Sequence, residues 1–202
     1  MDLKQNIDDF DLVFLDVETT GLDAAKGEAI CEIAALKVKR GEVIDQFQTL
    51  VNPKKEMPQE VYRIHKISDE ELRGAPFFED IAEELLSFLG NSVICAYNAD
   101  FDMSFLNHEL MRAKRPLLQA KPLDIMRIAK KTVRIPRYNL ITVATYFNIK
   151  AEGDLHRALT DANLTFKVFC SLKDILKEKG INSLEDYLSL QNKPNNSQPL
   201  IP

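Results

Sequence analysis

Leu12-Val13-Phe14-Leu15-Asp16-Val17-Glu18-Thr19-Thr20-Gly21 is the stretch that decides the fold of this chain. It opens as an unbroken apolar, β-branched-rich run, the composition of a strand buried on both faces at the centre of a sheet. Two carboxylates then follow at i and i+2. Alternate residues of a strand share a face, so Asp16 and Glu18 stand side by side at the end of a core strand. Like charges repel there, and burial opposes ionisation. A hard divalent cation with oxygen ligands would compensate both effects. The alternative is a strand end with two solvated acids. Thr19-Thr20-Gly21 turns the chain and offers backbone N–H groups beside the carboxylates.

Outward from that stretch, 202 residues are enough for one domain with a proper core. The expected division is a domain over 1–191 and a disordered tail over 192–202, where Lys193-Pro194-Asn195-Asn196-Ser197-Gln198-Pro199-Leu200-Ile201-Pro202 is rich in Pro and Asn. No apolar run reaches the roughly 18 residues of a membrane span, so no membrane partner is expected. Met1 to Phe10 lacks a basic region followed by an apolar one, so it does not read as a signal peptide. Cys31, Cys95 and Cys170 are odd in number, far apart and set in apolar patterns. They read as free buried thiols of a cytoplasmic protein, not as a metal site. A net charge of −5 argues against a polycationic nucleic-acid binder but not against acids that hold metal.

After the opening strand, Ala29 to Lys39 and Val43 to Val51 read as two more strands joined by a hairpin turn at Arg40-Gly41-Glu42, an antiparallel meander. Pro58 to Ile64 reads as helical, and Ser68 with Glu71 fits a capping box. Phe77 to Leu89 is an amphipathic helix stopped by Gly90. Ser92 to Tyr97 is a second buried strand, and a helix runs from its end to about Lys114. Further helices are expected over Leu123 to Lys131, Asn139 to Phe147, Leu155 to Lys179 and Ser183 to Leu190. Strands first, then strand–helix alternation, then helices indicate an α/β layered domain with a mixed sheet.

Two later acids join the first pair. Asp102 falls in the first turn of a helix just past a strand end, where an acid also suits the helix dipole. Asp161 falls inside the Leu155–Lys179 pattern among apolar residues, an unfavourable place for an unpaired carboxylate. His156 lies five residues earlier, and a cap or a surface residue is its plainer reading.

Asp16-Val17-Glu18-Thr19-Thr20-Gly21, Asn98-Ala99-Asp100-Phe101-Asp102-Met103-Ser104-Phe105-Leu106 and His156-Arg157-Ala158-Leu159-Thr160-Asp161-Ala162 resemble, in order and approximate spacing, the three exonuclease motifs of the DEDD superfamily. The His five residues before the last Asp resembles the DEDDh branch, which includes the epsilon proofreading subunit of bacterial DNA polymerase III, ribonuclease T and oligoribonuclease. The similarity runs from Leu12 to about Leu176. Ile64-His65-Lys66-Ile67-Ser68 is similar to the family's I-H-G-I-[ST] segment, with Lys66 in place of Gly. Tyr97 stands where the family often has His.

The resemblance implies a ribonuclease H-like fold with a mixed five-stranded sheet flanked by helices. It implies two divalent metal ions, Mg²⁺ or Mn²⁺, held by Asp16, Glu18, Asp102 and Asp161, with His156 as general base. It places Thr19, Leu22, His65, Asn98 and Phe101 at the terminal nucleotide. The chemistry agrees: two metals about 3.5–4 Å apart can both activate water and stabilise a leaving oxygen, and an imidazole suits proton removal near neutral pH. The implied activity is 3′→5′ hydrolysis of single-stranded DNA ends to nucleoside 5′-monophosphates, in proofreading or repair. RNA trimming of the ribonuclease T or oligoribonuclease type is the alternative within enzymes. A silent binding subunit is disfavoured because every ligand and the base are present.

Arg112, Lys114, Arg115, Lys121, Arg127, Lys130, Lys131, Arg134 and Arg137 form a basic segment against one acid, Asp124. It reads either as a wall that tracks phosphates or as a solvated face. Expected partners are single-stranded DNA or RNA 3′ ends, with a DNA polymerase or sliding clamp as a further one. For the clamp, Gln198-Pro199-Leu200-Ile201 reads either as a short motif or as an unstructured end.

Overall fold

Asp11 to Thr19 form β1, the middle strand of a five-stranded mixed sheet. The computed structural model describes residues 2–119, 121–194 and 199–201. On one side of β1, β2 (Ile30–Lys39) and β3 (Glu42–Leu50) continue as an antiparallel meander. Their hairpin turns at Arg40 and Gly41, with φ of 52° and 83°, the paired left-handed conformation of a tight hairpin turn. On the other side lie two parallel strands, β4 (Val93–Ala96) and β5 (Leu123–Asp124), in the order β3-β2-β1-β4-β5.

The first helices, α1 (Gln59–His65) and α2 (Asp69–Arg73), follow β3, and the expected Ser68–Glu71 capping box is formed. Lys66 ends α1 with φ of 61°, a left-handed conformation that explains a glycine at this place elsewhere in the family pattern. Next come α3 (Phe78–Leu89) and α4 (Ala99–Arg112), which cover one face of the sheet over Val13, Leu15, Ile33 and Ile94. The other face, carrying Leu12, Phe14, Leu36 and Cys95, is covered by α5 (Ile125–Thr132), α6 (Leu140–Tyr146), α7 (Ala158–Glu178) and α8 (Leu184–Gln191). Phe14 is fully buried there, its ring 5.1 Å from that of Phe166 and 5.3 Å from that of Phe169.

Two boundaries differ from expectation. Leu123 and Asp124 are a strand, not the start of a helix: they pair with Cys95 and Ala96, and Asp124 then caps α5 by accepting the Arg127 N–H. Two residues are too few to show a period-2 pattern. The last long helix starts at Ala158 and not at Leu155, because Arg157 and Ala158 are bound to Glu32 of β2 and His156 turns with φ of 59°. Asp161 therefore sits in the first turn of α7, not in mid-helix. Of the tail, residues 195–198 and 202 lie outside the described residues, and the Gln198 end of the motif reading lies there. Leu200 and Ile201 donate their N–H groups to the carbonyls of Lys131 and Thr132.

Truncating Phe14 to Ala should lower equilibrium stability by about 3–5 kcal/mol, the cost of a large aromatic lost from a close-packed core. Urea unfolding followed by circular dichroism measures it. A loss below about 1 kcal/mol would mean that the face under α7 can collapse around the gap.

Candidate active site

Asp16 and Glu18 project from β1 on the face that α7 covers, and Asp161 meets them from the first turn of that helix. One carboxylate oxygen from each lies within 4.8 Å of the other two. The register leaves room for this: Asp16 is paired with the small Ala34, and Glu18 with Glu32. Asp102 comes from the first turn of α4 and is 2% exposed. Its Oδ1 accepts the Val17 N–H at 3.2 Å, so it is locked to β1 between the two strand acids. A solvated acid at a helix start does not describe it.

Burial raises the pKa of all four groups, and repulsion from the others adds to the rise at Asp16 and Glu18. Asp16 is raised well above the usual carboxylate range by burial, then by the charges of Asp102, Glu18 and Asp161. Glu18 is pushed up to about 8 by burial, then by Asp161 and Glu32, with Arg157 opposing. Burial also pushes Asp102 up to about 8, against the pull of backbone N–H groups. Asp161 is raised by burial, with His156 opposing. Its Oδ1 is buried and has no hydrogen-bond partner among the described residues. An orphaned carboxylate oxygen beside acids that cannot all ionise, in an all-oxygen donor set, fits a hard divalent cation. His156 is exposed in the turn just before Arg157.

Glu18, Thr19, Leu22, His65 and Phe101 line one cavity of about 450 Å³ beside the acids. Leu22 is 88% exposed. His65 is buried: its Nδ1 accepts the Ile67 N–H at 3.0 Å, and its Nε2 is 3.8 Å from Cys31 Sγ. Burial lowers its pKa and favours the neutral ring. Gly21 shapes the rim, since a Cβ there would come within 2.7 Å of the Glu28 side chain, which Thr20 and Lys55 hold. Asn98 is not part of this cavity. It is exposed, at φ of 67°, immediately before α4. Tyr97 donates its hydroxyl to the Tyr138 carbonyl at 2.6 Å, so it ties the end of β4 to a loop.

The basic segment is only partly available as a surface. Arg112 pairs with Glu109, Arg115 with Glu83, and Arg127 with Asp100 and Asp124. Lys131 is 4% exposed and donates to the Pro194 carbonyl at 2.6 Å. Lys114, Lys121, Lys130, Arg134 and Arg137 stay outside these pairs. Sequence reasoning missed Glu32 and Arg157. Their signal was a lone acid in the apolar run Ile30-Cys31-Glu32-Ile33-Ala34-Ala35, which reads as buried and in need of a partner.

The sequence profile of the RNase_T family, described as Exonuclease, matches residues 13–169. The chain belongs to this exonuclease family. It is 39% identical over 166 residues to the DNA polymerase III subunit epsilon of Rickettsia conorii, covering 79% of this chain and 72% of that protein. Among solved structures, exonuclease X in complex with 5′ overhanging duplex DNA superposes with a TM-score of 0.71 at 22% identity, covering 90% of this chain and 99% of that one. The nuclease domain of a 3′-exonuclease described as a DEDDh family member, bound to rAMP, gives 0.71 at 15% identity, covering 84% and 92%. These likenesses match the ribonuclease H-like sheet. The chain is an exonuclease of the DEDDh type, a 3′–5′ hydrolase of phosphodiesters. The family works with divalent metal ions, and the cluster of Asp16, Glu18 and Asp161 fits that chemistry. Among the described residues no helix is long and apolar enough to cross a membrane.

The raised carboxylates make the exonuclease's stability depend on pH. An acid whose folded pKa lies above its unfolded value holds an extra proton in the folded state, and losing it as pH rises costs stability. The unfolded values are 3.8 for Asp and 4.5 for Glu, and the folded values of Glu18 and Asp102 reach about 8. In chelator, the melting temperature should fall as pH rises from about 5 to about 8, and Mn²⁺ should flatten that fall. Scanning calorimetry across that range checks it. A melting temperature that rises over the window in chelator would contradict the assignment.

Proposed function

We propose that this chain removes nucleotides from single-stranded 3′ ends, DNA in preference to RNA, in proofreading or repair, with two Mg²⁺ or Mn²⁺ ions. The observation that carries the reading is the three-carboxylate cluster with ligand atoms within 4.8 Å, aided by the orphaned oxygen of Asp161. Asp16, Glu18 and Asp161 would hold one ion, and Asp16 with Asp102 the other. When bound, such ions activate water and neutralise charge on the phosphate and on the leaving oxygen. The 39% identity to an epsilon subunit supports the DNA setting and a DNA polymerase as partner.

The remaining work falls to the chain's own groups. His156 takes the proton from the attacking water. The water oxygen bonds to the terminal phosphorus, and the bond from phosphorus to the preceding 3′-oxygen breaks. That oxygen collects a proton from solvent, and a nucleoside 5′-monophosphate leaves. Leu22, His65 and Phe101 pack against the terminal nucleotide in the 450 Å³ cavity, and Thr19 meets it through its backbone. Asn98 lies outside that cavity and takes no part in this packing. Lys114, Lys121, Lys130, Arg134 and Arg137 are the cations of the basic segment left to meet phosphates, since Lys131 is buried.

End-labelled DNA and RNA of matched sequence test the reading. With Mg²⁺ or Mn²⁺, a 5′-labelled DNA strand should give a descending ladder, faster than the RNA, and a blocked 3′ end should resist. His156→Ala should lower kcat by roughly 10²–10⁴-fold while calorimetry shows metal binding nearly intact. Faster shortening of the RNA would transfer the reading to RNA trimming. An unchanged rate in the folded variant would remove His156 from the mechanism.

A further inference from the structure

Glu32 has no part in the chemistry above, yet it is one of the most deeply buried charges in the molecule, at 1% exposure. It faces Glu18 across the β1–β2 ladder, and like charges directly opposite destabilise a sheet. Its compensation comes mainly from one segment. Arg157 donates from Nε at 3.0 Å and from Nη2 at 2.9 Å, a two-pronged grip on both carboxylate oxygens. Ala158 donates its backbone N–H at 3.0 Å, the first residue of α7. Gln48 on β3 adds one contact at 3.2 Å.

The residues before this grip are held lightly. Glu152 to His156 are exposed, with Glu152 paired to Lys167 at 2.8 Å. His156 takes φ of 59°, a backbone conformation that costs free energy for a residue with a side chain and persists only when its surroundings enforce it. Two contacts hold it: the Asp161 carboxyl meets the His156 backbone N–H, and next door Arg157 is gripped by Glu32.

We propose that Glu32 is a positioning residue: through the Arg157 fork and the Ala158 N–H it fixes the turn that aims the His156 imidazole at the carboxylate cluster. Arg157 is the intermediary, and the bidentate geometry gives direction as well as charge. This rests on His156 being the base. The repulsion that Glu32 exerts on Glu18 is the cost the site bears for the placement.

Glu32→Gln keeps the volume and an acceptor for the Ala158 N–H but leaves Arg157 one neutral oxygen. Arg157→Lys keeps the charge and loses the fork. Both should lower kcat by about 10–100-fold and leave KM for a single-stranded 3′ end within about twofold. In chelator, amide hydrogen exchange should speed up at Arg157 and Ala158 while β1 and α8 keep their protection. On a His156→Ala background, Glu32→Gln should cost far less than it does alone. Wild-type kcat in both variants overturns the proposal. So does a loss of protection spread evenly over the chain, because Glu32 would then hold the fold and not the base. If Glu32→Gln does not fold, Arg157→Lys, whose side chain is one-third exposed, decides by the same measurements. A fully active His156→Ala would instead break the reading of the base, a different result from an inactive His156→Ala beside fully active Glu32→Gln and Arg157→Lys.

Discussion

Mutual repulsion among buried carboxylates is the constraint on which the rest of this structure depends. Asp16, Glu18, Asp102 and Asp161 are each raised by burial, and the two strand acids, Asp16 and Glu18, are raised further by the others. A chain without a use for them would gain by replacing any one with an apolar residue. The sheet instead supplies a rigid platform: two acids on the central strand, one locked to the Val17 N–H, and one delivered by α7. Placing the acids on strands and first helical turns fixes their oxygens better than loops could. The imidazole of His156 is the exception, carried on an exposed turn, and it depends on a neighbouring ion pair for its aim.

The same constraint accounts for features outside the cluster. Ala34 opposite Asp16 is small, and Arg157 opposes the charge of Glu18. Gly21 allows the chain to pass close to Glu28 where the strand turns toward the nucleotide cavity. The buried His65, its pKa lowered by burial, forms part of that cavity.

Much of this was legible in the sequence. The period-2 placement of Asp16 and Glu18 in an apolar run survives unchanged because a one-residue slip would turn both acids to the other face. The hairpin at Arg40-Gly41 and the Ser68 box carry strong local chemistry and fall where expected. What escaped depends on tertiary contacts. Leu123-Asp124 becomes a strand only because β4 is beside it. The start of α7 is set by Glu32, which is 125 residues away from Arg157 in the chain. Lys131 is buried while Lys130 is half-buried and Arg134 and Arg137 are exposed, and its ammonium is met by the Pro194 carbonyl from far along the chain. Asn98 opens the second motif in sequence but lies outside the cavity in space, at a left-handed position just before α4.

The central claim is that the acids are held together for a divalent cation, at a cost in stability without one. Thermal melts of wild type and Asp16→Asn, each in chelator and in Mn²⁺, test it directly. Removing one charge while keeping the shape should leave the metal-free variant melting at or above wild type. Wild type should gain about 2.7 kcal/mol at a hundredfold excess of Mn²⁺ over its Kd, and the variant much less. A variant that melts well below wild type in chelator, with no Mn²⁺ response in either protein, would mean that Asp16 is a structural charge with a buried partner, and would contradict this account.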